Sequence, residues 1–309
     1  MISTTPRVCV LMATFNGAPW LVEQIDSILN QVAVDVKVFV ADDSSSDQTV
    51  EMIRGMSSAD RRINLMTFDQ KAGSASANFF RLMMAVNVSD FDYVAFSDQD
   101  DIWLPEKLTR ATASLLGGKY AGYSCATIAF WPDGREKLMG QNPNIRKYDY
   151  LFEGAGQGCT FVLAKDFFVN FVGFLHANKD DLKNIHYHDW LVYAFARNKS
   201  LNWFFDSVPM LRYRQHASND TGARGSLSGI FARFEKIKLG WYSRQLISLI
   251  DILNGKEEKR SGLSDVKRSL FGSPSLAMRL RNSIWIIHNG RRRLLDRLVL
   301  SFSIIRGWI

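Results

Sequence analysis

Three carboxylates stand within four residues at Asp98-Gln99-Asp100-Asp101, directly after an apolar run at Tyr93–Ser97. Ionised carboxylates this close repel one another unless a cation lies among them. Alternate residues of an extended segment point the same way, so Asp98 and Asp100 can face one ligand. Mg²⁺ and Mn²⁺ prefer hard oxygen ligands, and Mg²⁺ is commonly held by one or two carboxylates together with phosphate oxygens. The spacing therefore suits a metal–diphosphate site, with a solvated acidic turn before a helix as the alternative.

Polar residues also follow two earlier apolar runs. Thr14-Phe15-Asn16 comes after the first run of the chain, and Asp43 comes after the second. Asparagine and aspartate favour turns, which is the alternative interpretation of each group. A carboxylate at position 43 can accept the N3–H of a uracil or thymine ring, or it can cap the helix that follows.

The elements that position these residues alternate between strand and helix patterns. Apolar runs at 8–12, 36–41, 63–67 and 93–97 predict buried strands, and the segments between them have helical spacing. This order predicts an α/β fold, a mostly parallel sheet with helices on both faces. Ligands bind such sheets at the carboxyl ends of the strands, so the three polar groups are expected to line one crevice. Residues 120–225 are irregular apart from a short helix predicted around Asp189–Ala196.

The composition is that of an ordinary globular protein. The chain has 309 residues, of which 47% are hydrophobic and 22% are charged, and this excludes wholesale disorder and collagen-like repeats. Three separated cysteines exclude a disulfide scaffold and argue against a zinc site. The acidic spacing does not fit an EF-hand loop, and the absence of GxxxxGK[ST] disfavours a P-loop nucleotidase.

Charge is unevenly distributed along the chain. Residues 1–225 contain 22 Lys/Arg and 25 Asp/Glu, a net charge of −3, whereas residues 226–309 contain 16 and 6, a net charge of +10. A basic segment after a weakly acidic body predicts contact with an anionic surface. A membrane, a nucleic acid and an acidic protein all fit this charge. No helix-turn-helix, zinc finger or RNP-like motif supports a nucleic-acid binder.

Seven segments, taken in order along roughly residues 6–225, resemble the glycosyltransferase family 2 enzymes. These have the GT-A fold and include bacterial rhamnosyltransferases of surface-polysaccharide (O-antigen) assembly, which the chain resembles most. The segments are VLMATFNG at 10–17, VADDSSSDQT at 40–49, GSASANF at 73–79, FSDQDDIWLPEKL at 96–108, GQGCTFV at 156–162, HDW at 188–190 and RYRQH at 212–216. The last 85 residues match only loosely.

The resemblance implies a donor site and a metal site. If this chain binds its donor as the family does, Asp43 would contact the base and Asp98 would lie near the ribose, while Asp101 has no assigned role. Mg²⁺ or Mn²⁺ is the implied cofactor, and a purely structural His216 is the alternative to a ligand. The implied donor-binding residues are Thr14, Phe15, Asn16, Asp43, Asp98 and Arg214, and the implied metal ligands are Asp100 and His216.

The resemblance also implies an inverting displacement with Asp189 as the catalytic base, unless that residue only caps a helix. The implied donor is dTDP-L-rhamnose and the implied acceptor is a saccharide, expected to be lipid-linked. A UDP-sugar donor and a non-catalytic interaction protein on a GT-A scaffold are the alternatives. The sequence does not define the acceptor sugar, the linkage or the oligomeric state.

The basic C-terminal region, residues 226–309, is predicted to be a second, helical domain after a catalytic domain at 1–225. Basic amphipathic helices bearing tryptophan suit an anionic membrane interface, and packing on the catalytic domain or a second copy is the alternative. With no spanning segment and no secretory signal, we expect a cytoplasmic enzyme on the inner face of the membrane. The apolar stripe consists of Leu294, Leu298, Phe302 and Ile305, beside arginines 291–293, and the tryptophans are Trp241, Trp285 and Trp308.

Overall fold

A computed structural model describes residues 5–216, 235, 237–255 and 262–309. These residues divide into two units, each assembled from more than one segment of the chain. The first comprises residues 5–141, 155–182 and 187–216, and the second comprises 142–154, 183–186 and the described residues from 235 onward. The second unit therefore contains two segments from within the predicted catalytic domain. The predicted boundary at residue 225 lies outside the described residues and stays a prediction.

Nine strands, all within residues 7–214, form one mixed sheet in the first unit. They are β1 (Arg7–Thr14), β2 (Asp35–Asp42), β3 (Ile63–Met66), β4 (Tyr93–Ser97), β5 (Ile102–Trp103), β6 (Gly122–Phe130), β7 (Glu136–Met139), β8 (Val162–Ala164) and β9 (Trp203–Arg214). Their spatial order is β3-β2-β1-β4-β8-β6-β9-β5, and β7 pairs with β6. Pairing is parallel from β3 to β4 and between β6 and β9, and antiparallel elsewhere.

Helices cover both faces of this sheet, so the predicted α/β fold is confirmed. Parallel pairing extends over the four strands that the sequence identified. The remaining strands come from the segments after residue 100, where short runs form hairpins and antiparallel edges. The helices of the first unit are α1 (Leu21–Leu29), α2 (Thr49–Ala59), α3 (Ala75–Ala85), α4 (Lys107–Leu115), α6 (Lys165–Ala177) and α7 (His188–Asn198).

Strand β1 brings the ends of three strands to one edge of the sheet. Residues 8–12 are all inaccessible to solvent, so packing on both faces fixes the register of this strand. Thr14 pairs with Asp42 at the end of β2, and Met12 pairs with Ser97 at the end of β4. The polar residues that follow these strands therefore emerge at the same edge, as expected for a ligand site.

Strand β9 is anchored at its start by a buried carboxylate. Asp206 is 4% exposed and accepts hydrogen bonds from the hydroxyl of Tyr123 (2.9 Å) and from Nε of Arg110 (3.0 Å). Burial raises the pKa of the Tyr123 hydroxyl, which therefore stays a donor. The strand then runs to Arg214, which reaches the site described below.

The second unit is held together by a buried ion-pair cluster. Nη1 of Arg292 lies 3.2 Å from Asp149 Oδ2, and Nε lies 3.5 Å from Glu153 Oε1, with all three side chains buried. Arg291 donates from Nε to the carbonyl of Phe152 at 2.9 Å. Arg291 and Arg292 therefore make contacts inside the unit. Its helices are α5 (Asp149–Phe152), α8 (Trp241–Asn254), α9 (Gly262–Phe271), α10 (Leu276–Asn289) and α11 (Leu294–Ile305).

Replacing glycine by alanine is expected to change stability in opposite directions at Gly122 and Gly55. A Cβ on Gly122 would lie 2.5 Å from the indole ring of Trp203, whereas one on Gly55, inside α2, would meet nothing within 4 Å. Gly122→Ala should therefore lower the free energy of unfolding by about 1–3 kcal/mol through overpacking. Gly55→Ala should raise it by about 0.5–1 kcal/mol, since alanine is the better helix former. Urea unfolding of both variants measures the difference, and equal effects would contradict the close packing of β6 on β9.

Candidate active site

The loop after β1 is tied to the acidic turn by a glutamine. The backbone N–H of Phe15 donates to Gln99 Oε1 (2.8 Å), and Gln99 Nε2 donates to the Phe15 carbonyl (2.9 Å). A Cβ at Gly17 would lie 2.2 Å from Gln99 Oε1, so a side chain at position 17 would displace this amide. The middle residue of the D-x-D sequence thus fixes one wall of the crevice.

Thr14 and Asn16 organise the loop after β2. Thr14 Oγ1 donates to Asp42 Oδ1 (2.9 Å), and Asn16 Oδ1 accepts from the backbone N–H of Ser46 (2.8 Å). Asn16 adopts the left-handed conformation (φ 50°), which asparagine tolerates better than most residues. Phe15, between them, is 47% exposed, and Lys71 Nζ lies 4.6 Å from its ring centroid. This leaves the Phe15 ring as an accessible flat surface at the crevice.

The Asp43 carboxylate binds the backbone of a neighbouring loop. Its Oδ1 accepts from the N–H of Ala72 (2.5 Å) and its Oδ2 from the N–H of Gly73 (2.9 Å). Arg81 Nη2 lies 3.4 Å from Oδ1, and the carboxylate is almost fully buried. Asp43 thus acts as a hydrogen-bond acceptor, and in this structure two of its donors are backbone N–H groups.

The acidic turn contacts the end of β9 and the residues that follow it. Asp100 Oδ2 lies 2.8 Å from His216 Nε2, and the Asp100 carbonyl accepts from Nε of Arg214 (2.9 Å). The imidazole of His216 stacks on the indole of Trp20, with ring centroids 4.1 Å apart and planes 14° apart. Arg214 also donates from Nη2 to Glu23. Trp20 and Glu23 are both contributed by α1 and the residue that precedes it.

A second layer of side chains, formed by Asp98, Asp101 and Cys159, lies behind this contact. The ligand atoms of Asp98, Asp101 and Cys159 lie within 4.8 Å of one another. Asp101 is fully buried; its Oδ1 accepts from the N–H of Arg214 (3.3 Å), and its Oδ2 has no hydrogen-bond partner among the described residues. Burial, together with the charges of Asp100 and Asp98, raises the pKa of Asp101 well above its ordinary value.

Lys107 places a positive charge inside the same layer. Its side chain is fully buried, and Nζ lies 3.4 Å from the centroid of the Trp103 ring. Burial lowers the pKa of Lys107 to about 8. Trp103 is itself only 2% exposed, so it is a packing residue.

The acidic turn has the chemistry of a divalent-cation site. A carboxylate oxygen of Asp100 and an imidazole nitrogen of His216, which lie 2.8 Å apart, suit Mn²⁺ or Mg²⁺ together with phosphate oxygens. Behind the same turn, the buried Oδ2 of Asp101 has no hydrogen-bond partner among the described residues. The residues present therefore fit such an ion.

Asp189 lies in the first turn of α7, where a negative charge is favourable. Its Oδ1 accepts the N–H of Trp190 (2.7 Å), while the N-cap position itself is Tyr187. His188 stacks on Phe79 at 4.0 Å, and burial lowers its pKa to about 3. His188 is therefore neutral at pH 7 and has a packing role.

One short turn connects Asp189 with the acidic turn. In the 3₁₀ turn Gly158–Thr160, a Cβ on Gly158 would lie 2.9 Å from the Cβ of Asp189. The next residue, Cys159, points its sulfur at Asp98 and Asp101. The GQGCT segment therefore packs against both parts of the predicted site, a role that its small residues did not reveal.

The chain has relatives of known type. Residues 9–185 match the family model described as glycosyl transferase family 2. The chain is 34% identical over 295 residues to dTDP-rhamnosyl transferase RfbG of Shigella flexneri, covering 95% of this chain and 99% of that protein. It is 27% identical over 192 residues to the UDP-Glc:alpha-D-GlcNAc-diphosphoundecaprenol beta-1,3-glucosyltransferase WfgD of Escherichia coli, covering 60% and 68%.

Solved glycosyltransferases share the fold. Staphylococcus aureus TarS 1-349 in complex with UDP-GlcNAc superposes with a TM-score of 0.54 at 13% identity, covering 98% of this chain and 91% of that one. The mannosyltransferase PcManGT of Pyrobaculum calidifontis in complex with GDP-Man and Mn²⁺ gives 0.52 at 13% identity, covering 99% and 86%. These similarities confirm the predicted GT-A fold. The family match and the relative that aligns over nearly its whole length show that the chain is a glycosyltransferase belonging to glycosyl transferase family 2.

Proposed function

We propose that the chain transfers L-rhamnose from dTDP-L-rhamnose to a saccharide acceptor, with inversion, in the assembly of a bacterial surface polysaccharide. The observation that carries the chemistry is the contact of Asp100 with His216 at 2.8 Å, which fits a cation bound to a diphosphate. The donor assignment is supported by the similarity, over nearly the whole of both chains, to a dTDP-rhamnosyl transferase.

Asp100 and His216 would hold Mg²⁺ or Mn²⁺, and Asp98 would lie near the ribose of the donor. When bound, such an ion would compensate the negative charge that develops on the departing diphosphate. Arg214, with its backbone and Nε fixed on the acidic turn, adds a second positive charge beside the same position. Thr14, Phe15, Asn16 and Asp43 would form the nucleoside side of the donor site. To accept the N3–H of a thymine ring, the Asp43 carboxylate would release the backbone N–H groups of the 72–73 loop or bind them and the base together.

Asp189 would act as the general base. The acceptor hydroxyl gives its proton to the Asp189 carboxylate while its oxygen forms a bond to the anomeric carbon. The bond between that carbon and the diphosphate oxygen breaks, and dTDP leaves with the electron pair. Attack opposite the leaving group converts a β-linked donor into an α-rhamnoside. The hydrogen bond from Trp190 orients the carboxylate for this step.

A lipid-linked acceptor is the second part of the proposal. The E. coli relative is named for an acceptor on diphosphoundecaprenol, and the C-terminal region of this chain carries a net charge of +10. Positive charge favours an anionic leaflet. We therefore place the enzyme on the cytoplasmic face of the membrane as a peripheral protein. None of the helices in the described ranges has the length and apolarity needed to span a bilayer.

A UDP-sugar is the second candidate donor. Asp43 can accept N3–H from uracil and thymine alike. The S. aureus neighbour of the same fold binds UDP-GlcNAc, and the E. coli relative is named for UDP-Glc. Discrimination must then come from the thymine methyl group and the missing 2′-hydroxyl.

Cation binding is tested by Asp100→Ala and His216→Ala. Each should lower transfer by about 10²-fold or more, because several kcal/mol of charge compensation at the diphosphate is lost. Titration calorimetry of dTDP with and without Mn²⁺ should show that the cation no longer strengthens binding in either variant. Asp90→Ala, which removes an exposed carboxylate, is the control. Normal turnover by the wild-type protein in excess chelator would overturn the metal role.

The base is tested by Asp189→Asn and by its packing partner. Asp189→Asn should reduce kcat by about 10²- to 10⁴-fold and leave the Kd for dTDP within a few-fold, because the carboxylate acts on the acceptor. Gly158→Ala should reduce kcat in the same direction by displacing Asp189. Gly173→Ala, where a Cβ meets nothing within 4 Å, should not. Retained turnover in Asp189→Asn would refute the assignment.

Donor choice is tested by competition among nucleotides. One methyl group in an apolar contact contributes about 1–3 kcal/mol, so dTDP should bind about 10- to 200-fold better than UDP. GDP should bind far more weakly than either, since a purine lacks the pyrimidine N3–H at that place. Displacement of a fluorescent dTDP analogue measures the order. Tightest binding by UDP would favour the second candidate donor, and tightest binding by GDP would exclude both.

A further inference from the structure

The last two helices expose rows of large apolar side chains. In α11, Leu295 is 75% exposed and Leu294, Leu298 and Phe302 are between 47% and 55% exposed. Three of these positions are four residues apart and share one face of the helix. Helix α10 exposes a similar row at Leu276, Leu280 and Ile284. Soluble proteins seldom leave clustered apolar side chains open unless something binds them.

A basic groove lies at the beginning of α11. It has a volume of about 460 Å³, and its lining includes four arginines and a single acidic residue, Asp296. Asp296 lies 3.8 Å from Arg291, so its charge already has a partner. Leu294 and Leu295 form part of the same lining. The groove therefore joins positive charge to the exposed apolar row. The four arginines are Arg146, Arg293, Arg297 and Arg292, and the charge of Arg292 is already paired with the buried Asp149 and Glu153.

Arg297 has a buried donor without a partner among the described residues. It is only 7% exposed, and Nη1 donates to the carbonyl of Ile287, but Nε has no hydrogen-bond partner within the part of the chain that the structure describes. Burial, and then the nearby charge of Arg146, lowers the pKa of Arg297 from its ordinary value. A buried donor beside a second guanidinium group is a cost that a bound anion would relieve.

We propose that this groove binds the phosphate of an anionic phospholipid while Leu294, Leu295, Leu298 and Phe302 enter the bilayer interface. The inference rests on the proposed membrane location and names the surface that provides it. Arginine forks match phosphate oxygens, and an amphipathic helix with apolar residues beside cations suits the boundary between headgroups and acyl chains.

Charge argues against a second copy as the occupant. Residues 275–309 contain seven arginines and one acidic side chain. A two-fold dimer through this face would bring the same patch of each copy together, so arginines would meet arginines. An anionic bilayer offers both the negative charge and the apolar phase that the face lacks.

The experiment is co-sedimentation of the full chain with vesicles of phosphatidylcholine, with and without phosphatidylglycerol. Binding is expected only with the anionic lipid, and it should weaken as salt rises. Leu295→Ser combined with Leu298→Ser should weaken binding by tenfold or more, since burying each leucine contributes about a factor of ten. The matched control is Leu116→Ser, a leucine 76% exposed in the first unit.

Charge at the groove is tested with Arg293→Gln and Arg297→Gln, against the exposed Arg135→Gln. Each groove variant should lose several-fold affinity for anionic vesicles, while the control should not. Equal binding to both vesicle types, or no binding to either, would overturn the proposal. A dimer in sedimentation that the leucine variants convert to monomer would assign the face to a second copy instead. Calorimetry of dTDP on the same variants separates the two proposals, because donor binding should survive every one of them.

Discussion

Negative charge gathered at the end of one strand is the constraint on which the rest of the first unit depends. The turn at 98–101 must leave the sheet at that edge, because β4 is fixed in register beside β1. Cationic or hydrogen-bonding groups then surround it: His216 and Arg214 come from the end of β9, and Lys107 lies buried at the start of α4. The distant segments are therefore arranged around an electrostatic need and not only around apolar packing.

Close approach is the second requirement. The turn at Gly158–Thr160 fits between the start of α7 and the acidic turn only because residue 158 has no side chain. Its neighbour Cys159 then meets Asp98 and Asp101. A shift in this turn would move both the proposed base and the proposed cation site. Donor and acceptor chemistry thus share one piece of backbone.

The sequence predicted those features whose cause is local. Continuous apolar runs made the first four strands recognisable, and the polar groups that follow them do emerge at one edge. The pairing of Asp100 with His216 followed from family resemblance alone, since 116 positions separate them. The roles of Gln99 and Trp20 could not be predicted in this way. Each depends on which distant side chain lies opposite, and neither residue type is distinctive at its position.

The buried Arg292 has a consequence for how the chain can be divided. Its partners Asp149 and Glu153 lie in a segment that the middle of the chain contributes to the C-terminal unit. Removing everything after residue 225 would leave two buried carboxylates without their cation, and breaking a buried pair in that way commonly costs about 3–5 kcal/mol. The polypeptide is interlaced, so one cut cannot yield two intact modules. Chain topology therefore restricts the exchange of one unit alone between proteins. It also restricts sequence change in one unit independently of the other.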